Sequence, residues 1–129
     1  MPEGQAHLAP FQVFLSASAA LQERGAAVPF QVLYRGFVQS AFAIRFDGLA
    51  YAYLNRCAHM PMEMDFQPNQ FFDSTAAWLI CATHGALYAP QTGRCQSGPC
   101  RSGLVKIELS EADGALYWHT SALVQPAPL

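Results

Sequence analysis

The chain predicts an all-β fold, an antiparallel sandwich or barrel, on three observations. Short apolar runs alternate with period two, two Asp-Gly pairs stand where such runs would reverse, and helical periodicity is nearly absent. Taken in order, residues 1–10 mix Pro, Gly and Ala without periodicity and predict a partly ordered lead-in. Residues 11–15 alternate enough for a strand. Residues 18–24 offer one or two helical turns, with Gly25 as the stop signal. Val28–Tyr34 reads as a strand closed by Arg35-Gly36. Residues 38–46 then place Phe42, Ile44 and Phe46 on one face, with Ala41, Ala43 and Arg45 on the other. Asp47-Gly48 supplies a two-residue hairpin turn, because both central positions of that turn need positive φ, and Leu49–Leu54 returns.

Residues 60–77 carry the turn formers Pro61, Pro68 and Asn69, followed by Phe71-Phe72, and Trp78-Leu79-Ile80 reads as a short buried strand. Residues 104–109 alternate again, with Val105, Ile107 and Leu109 inward. Asp113-Gly114 makes a second Asp-Gly hairpin and Ala115–His119 is its returning strand. Residues 120–129, with Pro126 and Pro128, predict a fraying tail.

At 129 residues the chain has the length of one domain able to bury a core. With 12% charged residues and a formal net charge of −2, it shows no electrostatic footprint for nucleic acid or for an anionic membrane. It contains no apolar run long enough to span a bilayer, and its start, with Glu3 and no early Lys or Arg, lacks the basic region of a signal peptide. A cytoplasmic location is therefore the expectation. Four cysteines would also suit an exported disulfide scaffold, but the chain is longer and more apolar than such scaffolds usually are.

The chemistry concentrates in two runs, Cys57-Ala58-His59 and Cys81-Ala82-Thr83-His84. Together they offer two thiolates and two imidazoles to a metal centre. A two-iron, two-sulfur cluster can use such a set with one iron on both cysteines and the other on both histidines, so that each run bridges both irons. A zinc ion also accepts two Cys and two His. His84-Gly85 continues to Tyr88, then Thr92-Gly93 and Gly98-Pro99, and Asn55 stands just before the first cysteine.

In this order and spacing the pattern resembles the Rieske proteins, over residues 55–103. The resemblance implies one [2Fe-2S] cluster per chain on Cys57, His59, Cys81 and His84, with the histidine-ligated iron nearest the surface. His59 and His84 would then be the electron port. It also implies a Rieske-type antiparallel β-sandwich or barrel base, residues 11–54 and 104–119, into which a small loop-built cluster-binding subdomain is inserted, all within one domain.

Neutral imidazoles leave the oxidised cluster near zero charge, where an all-cysteine cluster is anionic, so the potential rises into the range of roughly −150 to +300 mV. High-potential members of respiratory complexes have a cysteine in each ligand loop, a serine two residues after the second histidine and a tyrosine four after it. The corresponding residues here are Met62, Thr83, Ala86 and Tyr88. Only Tyr88 matches, as a donor to a ligand sulfur, so a low to intermediate, ferredoxin-like potential is expected. Gly98-Pro99 resembles the loop that covers the cluster from the side.

Cys95 and Cys100 flank that loop, and three readings stay open for them: thiols packed locally, a disulfide across the loop, or a zinc ribbon with Cys81 and His84. Met60, Met62 and Met64 read as apolar cover for the cluster, His7 and His119 as surface or capped histidines. No nucleophile with a base, paired catalytic carboxylates or phosphate-binding loop is visible. The expected function is a one-electron carrier between a reductase and a terminal oxidoreductase, itself not an enzyme. The other readings are a non-catalytic accessory subunit of a larger oxidoreductase and a zinc-stabilised interaction module.

Overall fold

The structure, a computed structural model, describes residues 10–57, 62–65, 67–100 and 102–128. Among the described residues the chain forms β1 (Gln12–Ala17), β2 (Val28–Tyr34), β3 (Phe37–Phe46), β4 (Leu49–Leu54), β5 (Leu79–Ile80), β6 (Leu87–Tyr88), β7 (Cys95–Ser97), β8 (Lys106–Ile107), β9 (Leu109–Ala112), β10 (Ala115–His119) and β11 (Val124–Pro126). The strands pair antiparallel in three sheets, ordered β1-β10-β9, β11-β2-β3-β4-β8 and β5-β6-β7. The fold is all-β, as the alternation predicts. The hairpins form where the turn chemistry places them: Asp47 and Gly48 have φ of 52° and 85°, and Arg35-Gly36 and Asp113-Gly114 share that left-handed geometry.

The five-stranded sheet is the central layer, buried on both faces at its middle. Ala41 and Ala43 on β3, with Ala52 and Leu54 on β4, pack with Leu116 and Trp118 of the β1-β10-β9 sheet. The opposite face, Phe42, Ile44, Phe46 and Tyr53, packs with Phe71, Leu79, Tyr88 and Leu104 and with the sulfurs of Cys57 and Cys81. Phe42 stacks on Phe71 with centroids 3.7 Å apart. The face assignment of residues 41–46 thus holds, but the alanine face is no solvent face.

Three expectations need correction. Residues 18–24 form only a 3-10 turn, Ser18–Ala20. The turn closes with Leu21 N–H on the Ser18 carbonyl, and there the chain becomes extended, φ −99° and ψ 118° at Leu21, whose own carbonyl accepts from the Arg45 guanidinium at 3.1 Å instead of from a further helical N–H. Residues 104–109 are not one strand. β8 pairs with β4 and β9 with β10, so the chain changes sheets at Glu108 while Val105, Ile107 and Leu109 stay on the inner side. The tail is anchored: β11 pairs with β2, Val124 is buried, and Pro126 sits on an edge strand where its missing N–H is harmless. The sequence pattern also missed β6 and β7, which are too short to show a period.

Arg45 ties these pieces together, since it also meets the Glu111 carboxylate at 2.8 Å, from the five-stranded sheet to the β1-β10-β9 sheet. The hydrogen bond from Arg45 is the main reason the Glu111 carboxyl lies below its ordinary pKa. A carboxyl depressed in the folded state stabilises it above the unfolded value and loses that contribution as pH falls through the folded value. Glu111→Gln is therefore expected to lower stability at neutral pH by at most about 1 kcal/mol. Denaturant midpoints of parent and variant should converge as the pH falls below the carboxylate range, and a gap persisting in acid would contradict this assignment.

Candidate metal centre

Cys57 follows β4 directly, on a loop closed by side-chain polar groups. Asn55, buried, accepts from the Met64 N–H at 2.7 Å and donates to Asp65 at 2.8 Å. The other Asp65 oxygen accepts from the Asn69 N–H at 2.8 Å. Backbone bonds from Asn55 N–H to Ser40 and from Cys57 N–H to the Met62 carbonyl fix the loop's base. Residues 58–61, including His59 and Met60, lie outside the described residues.

The second loop begins at the end of β5. Cys81 N–H donates to the Ala86 carbonyl and Gly85 N–H to the Cys81 carbonyl, so residues 81–86 make a tight reversal before β6 returns along β5. Ala82 N–H donates to the Met64 carbonyl, which joins the two loops. Cys57 and Cys81 are buried, whereas His84 is exposed at the loop's crest. Burial pushes the Cys81 thiol up and its neighbour Cys57 pushes it further, while hydrogen bonds from Thr83 oppose the shift. Tyr88, fully buried on β6, places its hydroxyl 3.6 Å from the Cys57 sulfur.

A third loop lies against the second. Cys95 on β7, paired opposite Tyr88, forms a disulfide with Cys100, Cα to Cα 5.8 Å. The thiol and zinc-ribbon readings of these cysteines therefore give way to the disulfide reading, since each sulfur is bonded to the other. Within the bridged loop Gly98 has φ of 93°, and a Cβ there would stand 2.8 Å from the Ala86 Cα. Only glycine lets this loop sit so close. Pro99 is exposed beside it. From below, the Tyr53 hydroxyl on β4 donates to the Pro90 carbonyl at 2.6 Å.

Cys57, Cys81, Tyr88 and Ala86 thus meet in one apolar cluster. The methionines divide: Met64 is fully buried, while Met62 is 43% exposed. Asp65 was not singled out from the sequence, and only its pairing with Asn55 identifies it. Cys57 and Cys81 are buried neighbours, burial disfavours the bare Cys81 thiolate, and His84 is exposed on the same loop as Cys81; thiols in such surroundings are ones a cationic centre would stabilise. By type, these two thiols and one imidazole suit a centre of mixed sulfur and nitrogen ligation, although no three His, Cys, Asp or Glu side chains among the described residues converge closely enough to hold a metal ion. No helix among the described residues is long and apolar enough to cross a membrane.

The Rieske [2Fe-2S] domain family matches residues 13–108. Among solved structures, the ferredoxin of carbazole 1,9a-dioxygenase from Nocardioides aromaticivorans is similar, with 19% identity and a TM-score of 0.65, covering 90% of this chain and 98% of that one. The Sphingomonas yanoikuyae ferredoxin has 17% identity and a TM-score of 0.64, covering 86% of this chain and all of that one. The terminal oxygenase of the Nocardioides system has 19% identity and a TM-score of 0.63, over 83% of this chain but 29% of its own. No curated protein matches this chain.

The polar closure of the first loop is open to test. Asn55→Ala removes both side-chain bonds and strands the Met64 N–H in the interior. A loss of about 2 to 4 kcal/mol is expected in denaturant unfolding, and a variant as stable as the parent would show that the loop is held by other contacts.

Proposed function

The chain belongs to the Rieske [2Fe-2S] domain family, and from that premise we propose that it is a one-electron carrier of the ferredoxin kind serving an oxygenase-type or other oxidoreductase system. The observation that carries this reading is the placement of the donors, with Cys57 and Cys81 adjacent in the apolar interior and His84 exposed on the loop that begins at Cys81. Cys57, His59, Cys81 and His84 are the proposed ligands, and residues 55–103 the cluster-binding portion. When bound, the cluster takes up and releases a single electron.

The chain's own residues do the rest. The apolar wall of Met64, Leu79 and Tyr88 keeps water from the thiol side. Exposed His84 offers the route outward, and the third loop, braced by its disulfide, covers Ala86. Tyr88 and Thr83 are the donors toward the two sulfurs, and Ala86 provides no hydroxyl. This supports a low to intermediate potential within the Rieske range. A solved complex between the oxygenase and the ferredoxin of carbazole 1,9a-dioxygenase supports an oxygenase-type acceptor as the partner, and a reductase is the proposed donor.

Purified protein from anaerobic expression is expected to be red-brown, to bleach on reduction and to contain about two irons and two sulfides per chain. A colourless protein with a single zinc would overturn the carrier. Tyr88→Phe should lower the midpoint potential by tens of millivolts, since a hydrogen bond to charged sulfur favours the reduced state. An unchanged potential would mean the Tyr88 hydroxyl does not act on the sulfur.

A further inference from the structure

We infer that the recess beside Cys57, walled by Arg35 and Arg56, is a contact surface for the electron-exchange partner in addition to the exposed His84, and that the partner presents an acidic surface there. The inference names the partner's chemistry for the carrier reading and rests on it.

Two adjoining clefts, of about 250 and 370 Å3, share Tyr34, Arg35 and Arg56 as lining. One reaches Cys57 and the other runs out to Phe37. Both arginines are exposed, and no described carboxylate pairs with either. Of the other described arginines, Arg24 meets Asp47 and Arg45 meets Glu111, each at 2.8 Å, while Arg94 is exposed like Arg35 and Arg56. The Arg35 guanidinium lies over the Tyr34 ring, 5.3 Å from its centroid, so it is held against the wall of the recess. At the outer end Phe37 is 77% exposed and Val38 61%, with Leu123, whose carbonyl accepts from the Arg35 N–H, also exposed.

Arginine and aromatic residues around an apolar patch are the composition of an interface centre. The net charge of −2 makes the chain as a whole repel an acidic protein. An acidic partner is therefore favoured in the one orientation that puts its carboxylates against Arg35 and Arg56, close to Cys57. The exposed Phe37 and Val38 extend the site beyond what a small anion would cover.

Isothermal titration with an acidic flavodoxin and a basic cytochrome c as probe proteins tests the charge preference. The variants are Arg56→Glu, Arg35→Asp and their combination, with Lys106→Glu as a charge-matched control on another face. Asp suits position 35, whose φ of 52° asparagine and aspartate tolerate better than most residues. The parent is expected to bind flavodoxin more tightly than cytochrome c. The double variant should lose about tenfold in flavodoxin affinity, with the difference vanishing near 0.5 M salt, while Lys106→Glu stays within about twofold of the parent. A double variant with unchanged denaturation midpoint that binds flavodoxin as the parent does, or a parent that prefers cytochrome c, would overturn the inference. Association is read directly, so the result stands whatever metal the preparation holds, and the iron and sulfide analysis tests the carrier reading separately.

Discussion

Burial of the β3–β4 hairpin on both faces is the constraint on which the rest of the molecule depends. Its pairing sets Phe42 opposite Tyr53 and Ala43 opposite Ala52, so one face is aromatic and the other nearly all alanine. The alanines leave room for Leu116 and Trp118 of the neighbouring sheet, and the aromatics support Phe71, Leu79 and Tyr88. A slip of one residue would exchange the faces and drive four large side chains into the space the alanines leave, so the register has no near competitor. The loops that carry Cys57 and Cys81 inherit this rigidity, one by continuing from β4 and the other by resting on the aromatic face.

Those loops are held by different means because they offer different groups. The first has little regular structure, and the buried Asn55 satisfies the Met64 N–H, which would otherwise lack a partner away from water, and links it to Asp65. The second is a tight reversal between two-residue strands, held by its own backbone hydrogen bonds. The third is shaped by the Cys95–Cys100 disulfide and by the absence of a side chain at Gly98. The result separates two environments within a few residues, sulfur in the apolar interior and the His84 imidazole at the surface. Electron exchange needs both, since burial protects the centre and exposure brings it within reach of a partner.

The charged residues divide along similar lines. Arg24 and Arg45 join the strands and turns of the base to Asp47 and Glu111, while the Glu23 carboxylate accepts from the backbone of the 47–48 turn. Arg35 and Arg56 face outward next to the candidate centre. In a chain with so few charges, Arg24 and Arg45 serve ion pairs between strands and turns while Arg35 and Arg56 stay exposed beside Cys57.

The all-β class, the hairpins at Asp47-Gly48 and Asp113-Gly114, the end of a strand at Arg35-Gly36, the strands Val28–Tyr34, Leu49–Leu54 and Ala115–His119 and the family pattern were all legible in the sequence. Each depends on residues adjacent in the chain, where turn chemistry and alternation act directly. The double-sided burial of β3, the change of sheet at Glu108, the docking of Val124–Pro126 and the failure of a helix at 18–24 were not, because distant partners decide them. Tyr88 and Cys57 are 31 residues apart and Arg45 and Glu111 are 66 apart. The disulfide was one of three readings for Cys95 and Cys100, and Asp65 and the Arg35–Arg56 recess left no local mark. Local preference selected the strands and turns, and tertiary packing alone chose which of their side chains meet, because contact between distant residues is fixed by how the sheets stack and not by the spacing of the residues along the chain.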